Sequence, residues 1–393
     1  MAKPTAKLDS GTSVVLTWVA PADGGSPITG YVLTFTTDLG VYTLEWNDPS
    51  TSARVYNLDP DTTYQVSVAA VNAIGTGASS EAVVFATPFV YIERQFGADR
   101  YETAARVSER AFPYSGIDGA FVVNGQNFPD ALAAAAAAGT GDGPVLLTKA
   151  TTLAQPTADE LQALQPGVVV IAGGKAVVSD AVANKAGTYA TQNSLRLAGA
   201  TRFGTAAEVS RFWDTADTVY LANGQNFPDA LAGAAAAGYK DSPVLLTKAT
   251  TLPSETAAAL KRLKPKKIVV LGGTGVVSTT VANKAKAATG VTTSLTRQAG
   301  ADRYTTAVAI SKAAFPTAGV PVVYVTNGKN FPDALAGAAA AAHLGGPVLL
   351  TDPAVAPASV INEIKRLKPQ RIVVLGGPTV VSNKVVSQLN ATR

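Results

Sequence analysis

The stretch Asn124-Gly-Gln-Asn-Phe-Pro-Asp-Ala-Leu132 recurs as Asn223-Gly-Gln-Asn-Phe-Pro-Asp-Ala-Leu231 and Asn327-Gly-Lys-Asn-Phe-Pro-Asp-Ala-Leu335. Each copy is followed 20 residues on by Pro-Val-Leu-Leu-Thr, starting at Pro144, Pro243 and Pro347, and 49 residues on by a Gly-Gly pair, at Gly173, Gly272 and Gly376. Drifting linkers would not hold such register, so a folded unit of about 100 residues has been triplicated. A unit present three times suits an extended or repetitive partner better than a single catalytic pocket.

Working outward, each copy opens with a short strand running into Arg-x-x-Gly-Ala-x-Arg-aromatic: Arg94 to Tyr101, Arg196 to Phe203 and Arg297 to Tyr304. In the first copy the pattern predicts a helix over 103–112, a buried strand over 120–123 and an Asn-Gly turn. Pro129 fits the first turn of a helix over 131–138, where its missing N–H costs nothing, and Asp130 sits near the positive helix end. A strand over 144–147, a helix over 157–164 and a strand over 168–171 follow. Alternating apolar runs and helices imply a parallel sheet covered by helices. The alanine-rich helices (131–138, 230–237 and 334–342) lack bulk, so they must pack backbone-close, against the sheet or a sister repeat.

Ligands of such sheets sit beyond the carboxyl ends of the strands. The repeated polar residues collect there: Arg100, Asn124, Asn127, Asp130 and Thr148; Arg202, Asn223, Asn226, Asp229 and Thr247; Arg303, Asn327, Asn330, Asp333 and Thr351. With the Gly-Gly pairs they predict one polar edge per repeat, presenting helix N-termini able to receive an anion. Each residue type also has a structural role. The arginines fit a bidentate fork to phosphate or carboxylate, or a lock onto a carboxylate such as Asp130. Asn before Gly is a turn former, and Asn127 and Asp130 suit a helix start. The threonines at strand ends fit either role. The basic runs Lys261–Lys267 and Lys365–Arg371 lie at a helix C-terminus, where cations are favoured in any case; the first copy lacks them.

Residues 13–87 read differently. Short alternating runs (14–18, 28–35, 41–46, 64–71 and 82–87) are broken by Pro, Gly, Asn and Asp, the mark of an antiparallel sandwich. Leu58-Asp-Pro-Asp-Thr-Thr-Tyr64 resembles a tyrosine corner leading into a strand. With Trp18 and Ile28-Thr-Gly-Tyr31, residues 5–88 resemble a fibronectin type III domain ending at Pro88, a fold that serves as spacer or weak interaction module and says little about activity.

Charge is uneven. Residues 1–88 hold three basic residues against eight acidic ones, a net −5, which leaves +9 for the rest of a chain whose total is +4. A basic surface attracts anionic partners in a salt-dependent way. The 47% hydrophobic and 15% charged content describes a packed globular chain. No cysteine is present, excluding disulfides and thiolate chemistry. No apolar run reaches the roughly 18–20 residues of a membrane span, so no membrane insertion is expected. No signal sequence is evident at Met1-Ala2-Lys3-Pro4, and the chain is expected to be a mature or truncated piece of a surface protein.

Catalysis fits poorly. His343, the one histidine, occurs in a single copy, against histidine nucleophile or zinc sites, and a core or surface role suits it. Only Asp130, Asp229 and Asp333 recur as acids in all copies. Neither Gly-x-Gly-x-x-Gly nor a Walker A run is present, and aromatic platforms for nucleic acid are sparse. Neither cofactor nor metal is expected.

The repeated motifs resemble the cell-wall-binding repeat 2 family of Gram-positive surface proteins over about residues 92–393. The resemblance implies three repeats arranged as a pseudo-threefold trimer within one chain. It also implies non-covalent attachment to an anionic cell-wall polymer at the extracellular surface. The expected architecture is multidomain: a fibronectin III-like all-β sandwich (1–88) and three α/β repeats (89–194, 195–294, 295–393), the sandwich contacting, if anything, other surface proteins. Copy one has Ala172 where the others have Leu271 and Leu375. Copy two has Thr201 for Asp99 and Asp302, and copy three Asp352 for Lys149 and Lys248, so the three sites are expected to be unequal. A wall-glycan hydrolase using the Asp130-type acids and a surface-lattice component remain the alternatives.

Overall fold

The computed structural model describes residues 1–392 except Gly11, Thr12, Leu39, Asn57, Pro60, Asp61, Pro88, Phe89, Val90, Phe227 and Phe331, and, of Asp9, Ser10 and Phe128, the backbone alone. The expected domain end at Pro88, part of the 58–64 corner and the phenylalanine side chains of the repeated motif therefore lie outside the described residues. The chain forms two compact units, one reaching Glu93 and one spanning Arg94–Thr392.

In the first unit, Ser13–Thr17 pairs antiparallel with Thr5–Ser10 and Ser52–Val55. A second sheet sets Ile28–Thr37 between Gly40–Trp46 and Thr63–Asn72, and Gly75–Thr76 and Val83–Ala86 both pair with Thr63–Asn72. Inward residues alternate along the strands: Val14 and Leu16, then Tyr31, Leu33 and Phe35, then Tyr64, Val66 and Val68. These meet in an aromatic-rich core in which Trp18 stands edge-on to Tyr31 at 4.9 Å between ring centroids. The tyrosine corner forms, the Asp59 N–H donating to Tyr64 Oη at 2.7 Å. Thr5–Ser10 and Ser52–Val55 are strands that the alternation in the sequence did not reveal.

In the second unit three four-stranded parallel sheets repeat one order. Gly119–Asn124 lies between Val145–Thr148 and Val168–Ala172, and Asn193–Leu197 flanks the latter. Thr218–Asn223, Val244–Thr247, Lys267–Leu271 and Ser294–Gln298 repeat this, as do Val322–Asn327, Val348–Thr351, Arg371–Leu375 and Tyr91–Gln95. The fourth strand of every sheet thus comes from the opening of another copy. The strand that opens the first repeat completes the sheet of the third, with the Gly376 N–H donating to the Gln95 carbonyl at 3.0 Å. Val-Leu-Leu and Val-Val-Val runs are buried on both faces, as helix-covered parallel strands require. Each such side chain contributes about 1.5–3 kcal/mol by leaving water.

The alanine helices Phe128–Thr140, Pro228–Tyr239 and Pro332–His343 each pack against the other two around a common pseudo-threefold axis. They also lie on their own sheets, so both packings foreseen for them occur together. Small residues are what permit this approach: a Cβ on Gly238 would lie 2.9 Å from Ala342 Cβ and 3.0 Å from the Ala136 carbonyl. Helices Arg100–Ala111, Arg202–Val209 and Arg303–Ala314 then pack on the alanine helix of another copy, the first on the third copy's, the second on the first's and the third on the second's. Among the described residues no helix is long and apolar enough to cross a membrane.

Candidate functional site

Where the strand Gly119–Asn124 ends, the chain turns tightly at Asn124-Gly125. Nothing larger than glycine fits: a Cβ at Gly125 would meet Tyr101 Cε1 at 2.9 Å and Arg100 Cδ at 3.2 Å. Arg100 lies along this turn and its Nη1 donates to the Gly125 carbonyl at 2.7 Å, as Arg202 does to Gly224 and Arg303 to Gly328. One end of each guanidinium is thereby fixed, and each arginine remains partly exposed.

The aspartate in the first turn of each alanine helix sits beneath the Gly-Gly loop. Gly173, Gly272 and Gly376 take φ of +127°, +89° and +99°, and a side chain there would meet the carboxylates of Asp130, Asp229 and Asp333 respectively. A glycine is required on both counts. The loop is held from above by the other repeated arginine. Arg94 Nη1 donates to the Gly376 and Val381 carbonyls at 2.7 Å each, Arg196 to Gly173 at 2.7 Å and Val178 at 2.9 Å, and Arg297 to Gly272 at 2.6 Å. Every one of these bonds joins two copies.

The guanidinium acting on each aspartate, Asp130 buried and Asp229 and Asp333 half-buried, also belongs to another copy: Arg202 on Asp130, Arg303 on Asp229 and Arg100 on Asp333. The pairing of Arg100 with Asp130 considered from sequence is thus corrected: the charge felt by each aspartate comes from the arginine of another copy. Burial pushes all three carboxyl groups up to about 6. The opposing arginine pulls each back only in part, and a hydrogen bond with Thr205 also favours the charged form of Asp130. Between the second and third repeats this arrangement opens a cavity of about 230 Å³ lined by Asn226, Asp229, Gly273, Asp302, Arg303 and Thr306, among others. The Asp302 carboxylate is occupied in a capping box with Thr305, which leaves Asp229 as the carboxylate available in this cavity. A cation from one copy, a titratable acid and a helix start from another, and a glycine loop above them line this cleft with groups able to donate to and accept from a polar ligand.

Sequence comparison matches residues 94–183, 196–282 and 297–386 to cell wall binding domain 2 (CWB2), and residues 3–86 to the fibronectin type III domain. The chain belongs to the CWB2 family. It is 32% identical over 299 residues to the N-acetylmuramoyl-L-alanine amidase LytC of Bacillus subtilis, a match covering 76% of this chain and 58% of LytC. It is 28% identical over 297 residues to the amidase enhancer of the same organism, covering 76% of this chain and 40% of that protein. The chain therefore spans only about half the length of these relatives. Its fold matches Cwp6 of Clostridium difficile with a TM-score of 0.71 at 20% identity, over 96% of this chain and 65% of that one. Its three CWB2 repeats, following a fibronectin type III domain, associate it with the cell wall surface.

The CWB2 fold separates the expected site residues into two groups. Asn226 and Asp229 meet Arg303 in one cavity, and Asp130 faces Arg202 as Asp333 faces Arg100. Asn127, Asn226 and Asn330 are exposed beside the same helix starts; Asn127 occupies the cap position without making a side-chain cap bond, contrary to the capping role its place suggested. Asn124, Asn223 and Asn327 face inward. Each is buried, accepts from the N–H two residues on and donates to the carbonyl of Val177, Val276 or Val380, so it braces the loop. Thr148, Thr247 and Thr351 are fully buried and spend their hydroxyls on nearby backbone, for example Thr148 Oγ1 on the Thr152 carbonyl at 3.1 Å. In CWB2 repeats one and two Lys149 and Lys248 lie over the rings of Tyr101 and Phe203 at 5.8 and 5.9 Å. In the third Asp352 instead pairs with Lys329 at 2.7 Å, so the lysine has moved to the position of Gln126 and Gln225. Thr103, Thr205 and Thr306 went unnoticed in the sequence. Each accepts from the N–H of Gly97, Gly199 or Gly300 and shapes the Gly-Ala-x-Arg loop. Their signal was a threonine three residues after every Arg100-type arginine.

Proposed function

We propose that the three arginine–aspartate boundaries between repeats hold an anionic cell-wall polymer without covalent bonds and without chemistry, so that the chain anchors a surface protein to the wall. The observation that carries this reading is the threefold recurrence, at successive copy boundaries, of a partly exposed arginine facing an aspartate at a helix start. Three weak sites at fixed spacing suit a repeating chain and raise avidity by roughly 10²–10⁴ over one. The net +9 of residues 89–393 supports an anionic partner. The cavity between the second and third repeats offers one available acid, whereas glycoside hydrolysis by the usual route needs two carboxyl groups flanking the bond. Sharing of this region between an amidase and an amidase enhancer also fits a part that supplies attachment while the remainder supplies activity. The fibronectin type III domain serves as spacer or as contact to other surface proteins.

The test is sedimentation of the chain with purified walls, before and after stripping of their anionic polymer, across a salt series. Retention on intact walls alone, weakening with salt, is expected. Equal retention on stripped walls would move the target to peptidoglycan, and turnover of wall fragments abolished by Asp229→Asn would replace the anchor with an enzyme.

A further inference from the structure

The opposite ends of the sheets, at the amino termini of the strands, are not alike in the three copies. At two boundaries a ring pair fills the space beside the alanine helix: Phe112 against His343 at 4.5 Å between centroids, and Tyr239 against Phe315 at 4.6 Å. The position of Tyr239 and His343 is Thr140 in the first copy, 16 residues after the motif's first asparagine in each case. Its hydroxyl donates to the Gly238 carbonyl at 3.3 Å, and Phe212 of the second copy leans instead on Phe121, at 5.5 Å between centroids, and remains half exposed.

The strands deepen the gap. Parallel register sets Phe121, Val170 and Leu195 in one row across three strands, and Gly119, Val168 and Asn193 in the next. The corresponding rows of the second copy are Tyr220, Val269 and Thr296, then Thr218, Lys267 and Ser294. The first copy thus has glycine for threonine, valine for lysine and leucine for threonine at this face. The result is a cavity of about 550 Å³, apolar at its base of Phe121, Ala137 and Val170, with Phe212 and Leu195 at its mouth. That volume lies within the range of small-molecule sites.

Asp118 stands among the lining residues, and it is unpaired. In the second copy the corresponding Asp217 is joined to Lys266 at 2.8 Å; in the first copy the lysine's position is Gly167, and Asp118 has no cationic partner among the described residues. An apolar base with one uncompensated carboxylate at its side selects a flat apolar body carrying a positive head.

We infer that the boundary between the first and second repeats is a binding site for a small amphiphilic cation, its apolar body in the cavity against the Phe121–Phe212 pair and its ammonium on Asp118. The site lies at the sheet ends opposite the arginine–aspartate boundaries. Ligand-observed NMR titration of the full chain tests it with three probes: 2-naphthylmethylammonium, neutral 2-naphthylmethanol and anionic 2-naphthoate. Saturable binding in the order cation, neutral, anion is expected. Asp118→Asn should weaken the cation roughly tenfold, the scale of one charge-assisted bond, and leave the neutral probe unchanged. Thr140→Tyr, which supplies the residue the second copy already carries, should abolish binding of all three. Should Thr140→Tyr lower the melting temperature, Leu195→Thr gives the same reading by removing apolar surface. No saturable binding of the cation at millimolar concentration, equal binding of the three probes, or indifference of a folded Thr140→Tyr variant would each overturn the assignment.

Discussion

The two ends of the parallel sheets contrast within each repeat. At the carboxyl ends, all three copies keep the arginine on the Asn-Gly turn, the aspartate at the helix start and the glycine loop pinned by the next arginine. At the amino ends the same strands carry Gly119, Thr218 or Val322, then Val168, Lys267 or Arg371, and the helices end at Thr140, Tyr239 or His343. One scaffold supports both ends; at the uniform end the glycines, asparagines and arginines also hold the loops in place, whereas the other end tolerates variety. Threefold uniformity at one end is what a repeating partner touching all three copies would impose, and the other end is free of that demand.

The largest expected effect comes from removing the scaffold both ends share. Gly238→Val places side-chain atoms where Ala342 Cβ and the Ala136 carbonyl already lie, at the meeting of the three alanine helices. Overpacking of this kind costs about 1–3 kcal/mol or more. Calorimetry should show the transition of the repeat unit shifted down by several degrees, with the fibronectin unit's transition unmoved; an unshifted repeat transition would mean that the axis is looser than its small residues imply.

Next in size is the uniform end itself. Replacing Arg100, Arg202 and Arg303 together by Ala is expected to lower wall affinity at least ~100-fold, and any one of them up to about tenfold, because loss of one site in three leaves linked sites engaged. Each arginine also holds a turn carbonyl at 2.7 Å, so retention must be compared per folded molecule. Reduced stability with undiminished retention would make these arginines purely structural.

A subtler contrast is set by pH. The carboxyl groups of Asp130, Asp229 and Asp333 are raised from an ordinary 3.8 to about 6 by burial. Between about pH 4 and pH 6 the folded chain then binds more protons than the unfolded one, so stability falls as pH rises through that window and levels off above it. Glu160 is shifted upward as well, and the informative control is therefore the triple Asp→Asn variant, whose melting temperature should vary less across the window. Protonation also leaves the facing arginines uncompensated, so wall retention is expected to be stronger at pH 5 than at pH 7 in the native chain and nearly flat in the variant. Retention that rises with pH would place the aspartates, as anions, in contact with the polymer.

Much of this was legible in the residues, and the failures have physical causes. Valine-rich runs, the proline after the Asn-Gly turn and the invariant spacings define parallel strands and helix starts locally, so the α/β unit could be read directly. Which copy supplies a partner could not. In a periodic sequence Arg100 stands in the same relation to Asp130 as to Asp333, since pairing within and between copies uses identical residue types, and only packing about the axis decides. The same ambiguity hid which sheet the strand Tyr91–Gln95 joins, since it opens the first repeat yet closes the third sheet. Asn124 and Thr148 were grouped with the site because they end strands. A polar residue at a strand end can face solvent or satisfy backbone, and these satisfy backbone. The open boundary between the first two copies had a faint signal in Gly119, Thr140 and Gly167, small residues at positions otherwise held by Thr, Val, Tyr, His, Lys or Gln.

The smallest expected effect is also the one that separates the two ends most cleanly. Thr140→Tyr gives the first copy the ring that the second has, facing Phe212 as Tyr239 faces Phe315 at 4.6 Å. Filling the gap buries apolar surface on both rings, while the Thr140 hydroxyl gives up its 3.3 Å bond to the Gly238 carbonyl. Stacked aromatic pairs contribute about 0.5–1.5 kcal/mol and a neutral hydrogen bond about as much, so the net change in melting temperature should be within a few degrees. Wall retention should not change at all, because the substitution lies at the amino ends of the strands and touches none of the three arginine–aspartate boundaries. A variant that folds normally yet loses retention would join the two ends into one binding surface, and would mean that the polymer passes over the boundary between the first and second copies.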